Sequence, residues 1–352
     1  MPDSLIKGGK PVFGTFVGCP KRLDIKGVKA PFTGLPLPTF VTNCRIKSSL
    51  TFIFSIGQYI GTVDFFDQKI FGYAEVVFWN RENGRKLSYR KIMGPRRRFI
   101  PHNMKLGFCS TFKKNRYIRI SWDRERNRFS ALFSMKGDSV RPRVNAAFIA
   151  HYTESTMNEA LSVMPSPAKR RCSATFITTP LIHGSLSLGE TDRMPAQNMQ
   201  NTNGYSILLI NRSYFAFQYG RESAVATGSL TIDGTEKRIS FTITAMPEGQ
   251  VDADKLNSNF LFVDGECTPL PPVTITHTQG MAKTWVIQDY ESMVDLTFTP
   301  TGHHFRDTSF FVVHMRVNTL HGTFEGALKT KNGETIPLHN FEGIVRNQSM
   351  RS

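Results

Sequence analysis

Apolar and polar side chains alternate with a period of two over much of this chain, the pattern of strands that bury one face. Leu50, Phe52, Phe54 and Ile56 occupy alternate positions near the start, and Ile239, Phe241 and Ile243 do so in the middle. Near the end, Leu296 and Phe298 alternate with threonines, and Phe311, Val313, Met315 and Val317 continue the pattern. Turn dipeptides fall between such runs. Asn83-Gly84 separates Val76–Trp79 from Leu87–Ile92, Asp233-Gly234 divides SLTIDGTEKRISFTIT, and Asn332-Gly333 lies between a run ending near Leu328 and Ile336–Leu338. A pair tolerating positive φ is what a type I′ hairpin turn requires. Tyr117–Trp122 and Phe129–Met135 flank a charged turn and predict another hairpin. A period of 3.6 is scarce. The best helix candidate is Thr153–Val163, where Met157, Ala160, Leu161 and Met164 could share a face.

This pattern predicts an all-β protein of two units. Residues 1–40 are rich in Gly, Pro and Lys and read as an irregular lead-in. Residues 41–164 form a first unit, PSPAKRR supplies a linker at 165–171, and 172–352 form a second. With 352 residues, 40% apolar and 11% aromatic, the chain can fill two cores. Many short strands in each half fit two antiparallel barrels, because closure removes exposed sheet edges.

Charge changes the picture in one respect. Of the net +16, Met1–Arg171 carries 31 Lys and Arg against 11 Asp and Glu, a balance of +20, and the remainder carries 13 against 17, a balance of −4. A basic half points to an anionic partner, either a membrane surface or nucleic acid. The candidate patch is Arg96, Arg97, Arg98, Lys113, Lys114, Arg116, Arg124, Arg126 and Arg128, with the last three sharing a face if they lie on one strand. Phe99, Phe112, Tyr117, Trp122 and Phe129 interleave with these cations and could stack on bases. Five scattered cysteines without a C-x-x-C pair argue for a reducing, cytoplasmic setting. The first residues lack the apolar core of a secretion signal, and Gln58 and Asp64 interrupt the most apolar later stretch. His303 and His304 are neighbours whose side chains would diverge, so no metal is expected. His321 is expected to make a backbone hydrogen bond rather than act as a base. No cofactor fingerprint occurs.

Several motifs in fixed order resemble the domain-of-unknown-function family numbered 2804. They are GTFVGCPKRL (Gly14–Leu23), LTFIFSIG (Leu50–Gly57), GTVDFFD, NFLFVDGE (Asn259–Glu266), VDLTFTP, HGTFEGAL, an NG turn and a closing FEG. The resemblance spans nearly the whole chain. It implies two consecutive lipocalin-like antiparallel β-barrels, distantly similar to carotenoid hydratases and tocopherol cyclases, with a strand near Ala160–Met164. Against the family pattern D-x-G-R-G-x-W-P-Y-x-T, Arg212 keeps the arginine and Phe217 the second aromatic, whereas Leu209 replaces the acid and Phe215 the first tryptophan. Two later tryptophan positions fall on Arg221 and Ser223. Asn259 matches the family asparagine, Ser258 replaces its glutamate, and the tail GIVRNQSMRS lacks the family's acidic and histidine pairs.

A barrel of about eight strands can enclose one small apolar ligand, although most inward phenylalanines are plain core. Arg212 and Asn259 are expected to hold a polar head in the second barrel, with Phe215, Phe217 and Trp285 as apolar wall. With the carboxylates gone, this reading favours a non-catalytic binding protein for an apolar or amphipathic small molecule of lipid or isoprenoid type. Its competitors are an enzyme of hydratase or cyclase type acting on such a ligand, and a nucleic-acid-associated protein.

Overall fold

The computed structural model describes residues 1–351 except 33–36, 70, 95–98, 112–114, 153–157, 167–170, 193, 215–217, 246–251, 253 and 311–312. Its strands in chain order are β1 (Ile6–Lys7), β2 (Lys10–Pro11), β3 (Gly14–Val17), β4 (Ile46–Ile56), β5 (Tyr59–Asp67), β6 (Gly72–Asn80), β7 (Lys86–Met93) and β8 (Leu106–Ser110). Then follow β9 (Arg116–Asp123), β10 (Arg128–Met135), β11 (Val144–Ala150), β12 (Glu159–Pro165), β13 (Cys172–Thr178), β14 (Leu181–Leu188), β15 (Gln197–Tyr214) and β16 (Gln218–Ile232). The last are β17 (Thr235–Thr244), β18 (Phe260–Val263), β19 (Glu266–Pro269), β20 (Thr274–Thr276), β21 (Trp285–Gln288), β22 (Val294–Phe310), β23 (Val313–Lys329) and β24 (Thr335–Arg351). A six-residue helix, α1 (Thr39–Cys44), is the α-helix among the described residues, and no described helix is long and apolar enough to cross a membrane.

Pairing sorts these strands into two large antiparallel sheets. The first runs β7-β6-β5-β4-β15-β14-β11-β10-β9-β8, with β13 continuing the edge of β15 and joined in turn by β12 and β3. The second runs β19-β18-β17-β16-β24-β23-β22-β21-β20. Both are rolled, as their edges show. In a flat sheet, eight spacings of about 4.8 Å would hold β19 and β20 about 38 Å apart. The chain crosses from Pro269 to Thr274 in five steps of about 3.8 Å, so those edges must meet. The first sheet's edges, β7 and β8, are also consecutive in sequence. Across that seam Arg116 donates to the Arg90 carbonyl at 2.9 Å and Tyr89 to that of Pro142 at 2.6 Å.

Each rolled sheet fills its own interior. Phe54 lies 5.1 Å from Phe148, and Phe52 5.4 Å from Phe129, in the first core; Phe298 and Phe241 lie 4.8 and 5.1 Å from Phe324 in the second. The expectation of two consecutive antiparallel barrels thus holds, with corrections of detail. The chain belongs to the first sheet up to Tyr214 and to the second from Gln218, because β13, β14 and β15 all pair within the first. At the expected linker, Pro165 stands opposite Cys172 and the Ser166 N–H donates to the Arg171 carbonyl, so β12 and β13 pair with each other; 167–170 lie outside the described residues. Residues 1–217 still hold the basic character, at 33 Lys and Arg against 13 Asp and Glu. The lead-in is partly core, since Leu5, Leu23, Ile25 and Val28 are buried in the first barrel. The helix considered for Thr153–Val163 gives way to β12 from Glu159, as the family resemblance implied; 153–157 lie outside the described residues.

Turn chemistry holds at Asp233-Gly234, where both residues have positive φ, and Asn83-Gly84 lies within the β6–β7 hairpin. At the third dipeptide only Gly333 has positive φ, and its N–H bonds the Thr330 carbonyl, a type I geometry with glycine at the fourth position.

The barrels pack back to back. Ile53, Ile60, Val77 and Trp79 on the outer face of the first meet Val225, Phe260, Phe262 and Ile344 on the outer face of the second. Gly302 permits this approach: a Cβ there would lie 2.5 Å from Trp79 Nε1. Strands β5 and β6 are therefore buried on both faces, and their ionic residues require partners. Arg346 of β24 donates to both Asp64 oxygens, at 2.8 and 2.6 Å, and to Thr51 Oγ1 at 3.2 Å. Arg306 of β22 pairs with Glu75 and donates to Tyr73 Oη at 2.6 Å, and His304 Nε2 lies 3.3 Å from Glu75. His303 turns the other way, to Asn318, so the adjacent histidines do diverge.

Burial alone would raise the Asp64 and Glu75 carboxyls, but the facing guanidinium groups and hydrogen bonds outweigh it and hold both below the ordinary carboxylate range. Because their folded pKa values are depressed, their stabilisation is present above the unfolded values near 4 and is lost as pH falls through the folded ones. The urea midpoint should stay level from about pH 7 to about pH 5 and drop below about pH 4. The double variant Asp64→Leu/Arg346→Met should show a shallower acid limb, whereas Arg346→Ala alone, stranding a buried carboxylate, should cost roughly 3–5 kcal/mol.

Candidate functional site

The outer faces do not meet everywhere. Where the chain crosses from β15 to β16 they leave a crevice in two parts that share Thr175 and Arg221. One part, a cavity of ≈ 100 Å³, lies among Met164 and Pro165 of β12, Ser173 and Thr175 of β13, Ser213 of β15, Tyr219 and Arg221 of β16, and Thr244, Ala245 and Ser258. The other, of ≈ 60 Å³, lies among Thr51, Leu209, Asn211, Ser223, Val225, Thr242, Ile344, Arg346 and Gln348. Such volumes hold several waters or the head of a small molecule.

Strand parity builds this lining. On β15, Leu208, Ile210 and Tyr214 face the first core, so Leu209, Asn211 and Ser213 face the crevice. On β16, Ala224 and Ala226 enter the second core, leaving Arg221, Ser223 and Val225 outward. Asn211 is fixed by donating to Ser173 Oγ at 2.9 Å and Thr175 Oγ1 at 2.8 Å. Arg346 closes one end through its paired hold on Asp64. Arg221 donates to Thr244 Oγ1 at 2.9 Å, and its buried Nε has no partner. Among the described lining residues there is no carboxylate, imidazole, thiol or amine.

The residues expected to bind a ligand together are dispersed. Arg212 faces into the first barrel, on the opposite side of β15 from the crevice, and is fully buried. It donates to Ser48 Oγ at 2.8 Å and to the carbonyls of Ile100 and Pro101 at 2.7 and 2.9 Å, fastening the segment that joins β7 to β8. Burial pulls its guanidinium down to about 10, against the opposing pull of Asp24 and Asp67, so it stays charged near neutrality. Asn259 performs the matching task at the other seam. Its Nδ2 donates to the Pro271 carbonyl at 2.9 Å, between β19 and β20, and its Oδ1 accepts from Thr244 N–H at 2.8 Å. Trp285 belongs to the second core, donating to the Met281 carbonyl at 3.0 Å with the His277 ring 4.1 Å away. Phe215 and Phe217 lie outside the described residues. Among the described residues, positions that depart from the family pattern do converge: Leu209, Arg221, Ser223 and Ser258, with Ile344, Arg346 and Gln348 of the tail, line the crevice.

His321 is stacked on Trp79 at 5.7 Å and lies 3.3 Å from Thr301 Oγ1, in place of the expected backbone bond. Burial lowers its pKa to about 4, with Arg81 adding to the effect, so it is neutral near pH 7.

The basic patch is also divided. Arg96, Arg97, Arg98, Lys113 and Lys114 lie outside the described residues. Arg124 turns inward, paired with Glu159, bonded to the Met104 carbonyl at 3.0 Å and 4.5 Å from the Tyr152 ring. Arg116 is engaged across the seam, whereas Arg126 and Arg128 are exposed. The three arginines 124, 126 and 128 do not share a strand face, because 124–127 form the turn before β10. Of the interleaved aromatics, Phe99, Trp122 and Phe129 are buried and Tyr117 half-buried, which withdraws most of the surface that could stack on bases; Phe112 lies outside the described residues.

The sequence pattern of DUF2804, a domain of unknown function, matches residues 11–351. Among solved structures the chain is similar to CghA, at 10% identity over 97% of this chain and 98% of that one, with a TM-score of 0.49. It is also similar to a candidate AttH protein of Nitrosomonas europaea, at 10% identity over 90% and 97% with a TM-score of 0.49. Kievitone hydratase of Nectria haematococca matches at 12% identity over 87% and 89%, with a TM-score of 0.40. No curated protein sequence matches the chain.

Arg212 faces away from the crevice, so its removal should be felt in stability rather than in ligand affinity. Arg212→Ala should lower stability by roughly 1–3 kcal/mol for each buried acceptor left unpaired, read as a reduced urea midpoint. The affinity of the folded variant for an amphipathic ligand should match wild type, measured by titration calorimetry.

Proposed function

Because the chain belongs to the DUF2804 family, whose description assigns no activity, we propose from the crevice itself that the protein binds an amphipathic small molecule between its two barrels without transforming it. The observation that carries this reading is the make-up of the lining. Hydroxyls, amides and guanidinium groups line the crevice together with Met164, Pro165 and Ala245, the mixture that orients a ligand with one polar and one apolar end. Acid–base catalysis needs a titratable group at the reacting atom. Asp64, the carboxylate behind the lining residue Arg346, is locked to it and held ionised. The enzyme reading thus finds no carboxylic acid, imidazole or amine among the described lining residues and would have to run through the Tyr219 phenol.

Protein purified without detergent should carry a bound amphiphile detectable by native mass spectrometry and recovered with unchanged mass after prolonged incubation. Thr175→Trp, which fills the junction of the two cavities, should lower its occupancy at least about tenfold, the loss expected when a roughly 1.4 kcal/mol binding term is removed. Recovery of a chemically altered species would establish the enzyme reading instead.

A second surface supports an anionic membrane partner for the basic barrel. Leu106 and Phe108 on edge strand β8 are exposed, and the guanidinium of Arg119 lies 5.3 Å from the Phe108 ring. Exposed apolar side chains beside cations suit a lipid headgroup region better than a base stack, given how many of the neighbouring aromatics are buried. Cosedimentation with phosphatidylserine-containing vesicles should weaken as salt rises and weaken further in Phe108→Asp. Equal binding of variant and wild type would remove this surface from consideration.

A further inference from the structure

We infer that the crevice selects amphiphiles with an anionic head, and that Arg221 is the residue that selects them. This deepens the binding reading above and rests on it. Two guanidinium groups face the crevice, and they differ in how they are compensated. Arg346 is neutralised by both oxygens of Asp64. Arg221 has no carboxylate partner among the described residues; its hydrogen bond goes to the neutral hydroxyl of Thr244, and its Nε–H is buried and unpaired. A guanidinium has five N–H donors in a planar fork, a shape that matches the paired oxygens of a carboxylate or phosphate. Leaving such a cation half-buried and uncompensated is unfavourable unless an anion joins it.

Position strengthens the assignment. Arg221 lines both parts of the crevice, so an oxygen held there would sit at their junction. The hydroxyls of Thr175 and Thr244 border the same cavity and can donate to its remaining lone pairs. Met164, Pro165 and Ala245 border it too, which gives an attached chain an apolar wall to follow. The adjoining outer recess of ≈ 400 Å³ shares Gln218, Tyr219 and Gly220 with this cavity and provides a route outward. The small volume at the junction favours a compact carboxylate or phosphate over a bulky neutral head.

The test uses three probes of equal chain length, decanoate, decyl phosphate and decanol, titrated calorimetrically into the full chain. Wild type should bind one or both anions about tenfold to a hundredfold more tightly than decanol, the span expected for a charge-assisted hydrogen bond. Decanoate against decyl phosphate distinguishes a carboxylate from a phosphate head. Arg221→Gln should erase the preference while keeping decanol affinity, and Arg221→Lys should keep part of it. Modification of wild-type Arg221 by phenylglyoxal, mapped by peptide mass spectrometry, should be slowed by the preferred anion and not by decanol; this measurement stands even if a variant folds poorly. Equal binding of all three probes, or a preference that survives Arg221→Gln, overturns this inference and leaves the binding reading intact. Failure of every probe to bind wild type overturns both.

Discussion

The structure depends on burying two adjacent strands, β5 and β6, on both faces. A rolled sheet normally turns one face to its core and the other to water, and ionic residues are comfortable on the second. Here the second face is covered by another barrel, so Asp64 and Glu75 can remain charged only because Arg346 and Arg306 reach across to them. Such pairs contribute little net stability relative to well-packed apolar residues, but they penalise any other docking angle, because a shifted barrel would strand several buried charges at once. Apolar contact brings the barrels together, and the ion pairs fix their register.

The same two-sided burial decides what could be read in the sequence. Alternation is legible in β4, where Phe52 and Phe54 face the core and Thr51 and Ser55 do not, and in β17. It vanishes in β12, whose residues from Ala160 to Pro165 are all buried; consecutive apolar positions there imitate a helical face. Hairpin dipeptides were readable because positive φ is a local demand. Which barrel a strand joins is not local, and β13 to β15 were placed with the wrong partner because their pairing with β4 and β11 involves residues far away in the chain.

The candidate site was half legible for a related reason. The segment around Ile207–Gly228 does carry the crevice, but neighbouring residues on a strand face opposite ways, so Arg212 and Asn211 belong to different environments. Arg212 and Asn259 prove to be closure residues instead. Each hydrogen-bonds loop carbonyls at the seam of its own barrel, where the ladder does not continue and backbone acceptors would otherwise lack partners. Pro271 and Pro272 stand at the second seam and cannot donate, which makes a side-chain donor there the available substitute. The buried leucines, isoleucine and valine of the lead-in were invisible because isolated apolar residues among Gly, Pro and Lys have no period.

The pairing of β4 with β15 joins Ile56 to Gly204 and Ile46 to Tyr214, which sets a timetable for biosynthesis. The first barrel cannot be completed until Tyr214 has left the ribosome, and at about 5–20 residues per second that is roughly 10–30 s after β4 emerges. Throughout this interval one edge of β4, a strand that carries Leu50, Phe52, Phe54 and Ile56, has no hydrogen-bonding partner. A nascent chain in that condition is a template for its neighbours on the same polysome. The excess of positive charge in those first two hundred residues sets such neighbours in mutual repulsion, an effect that acts before the protein has folded.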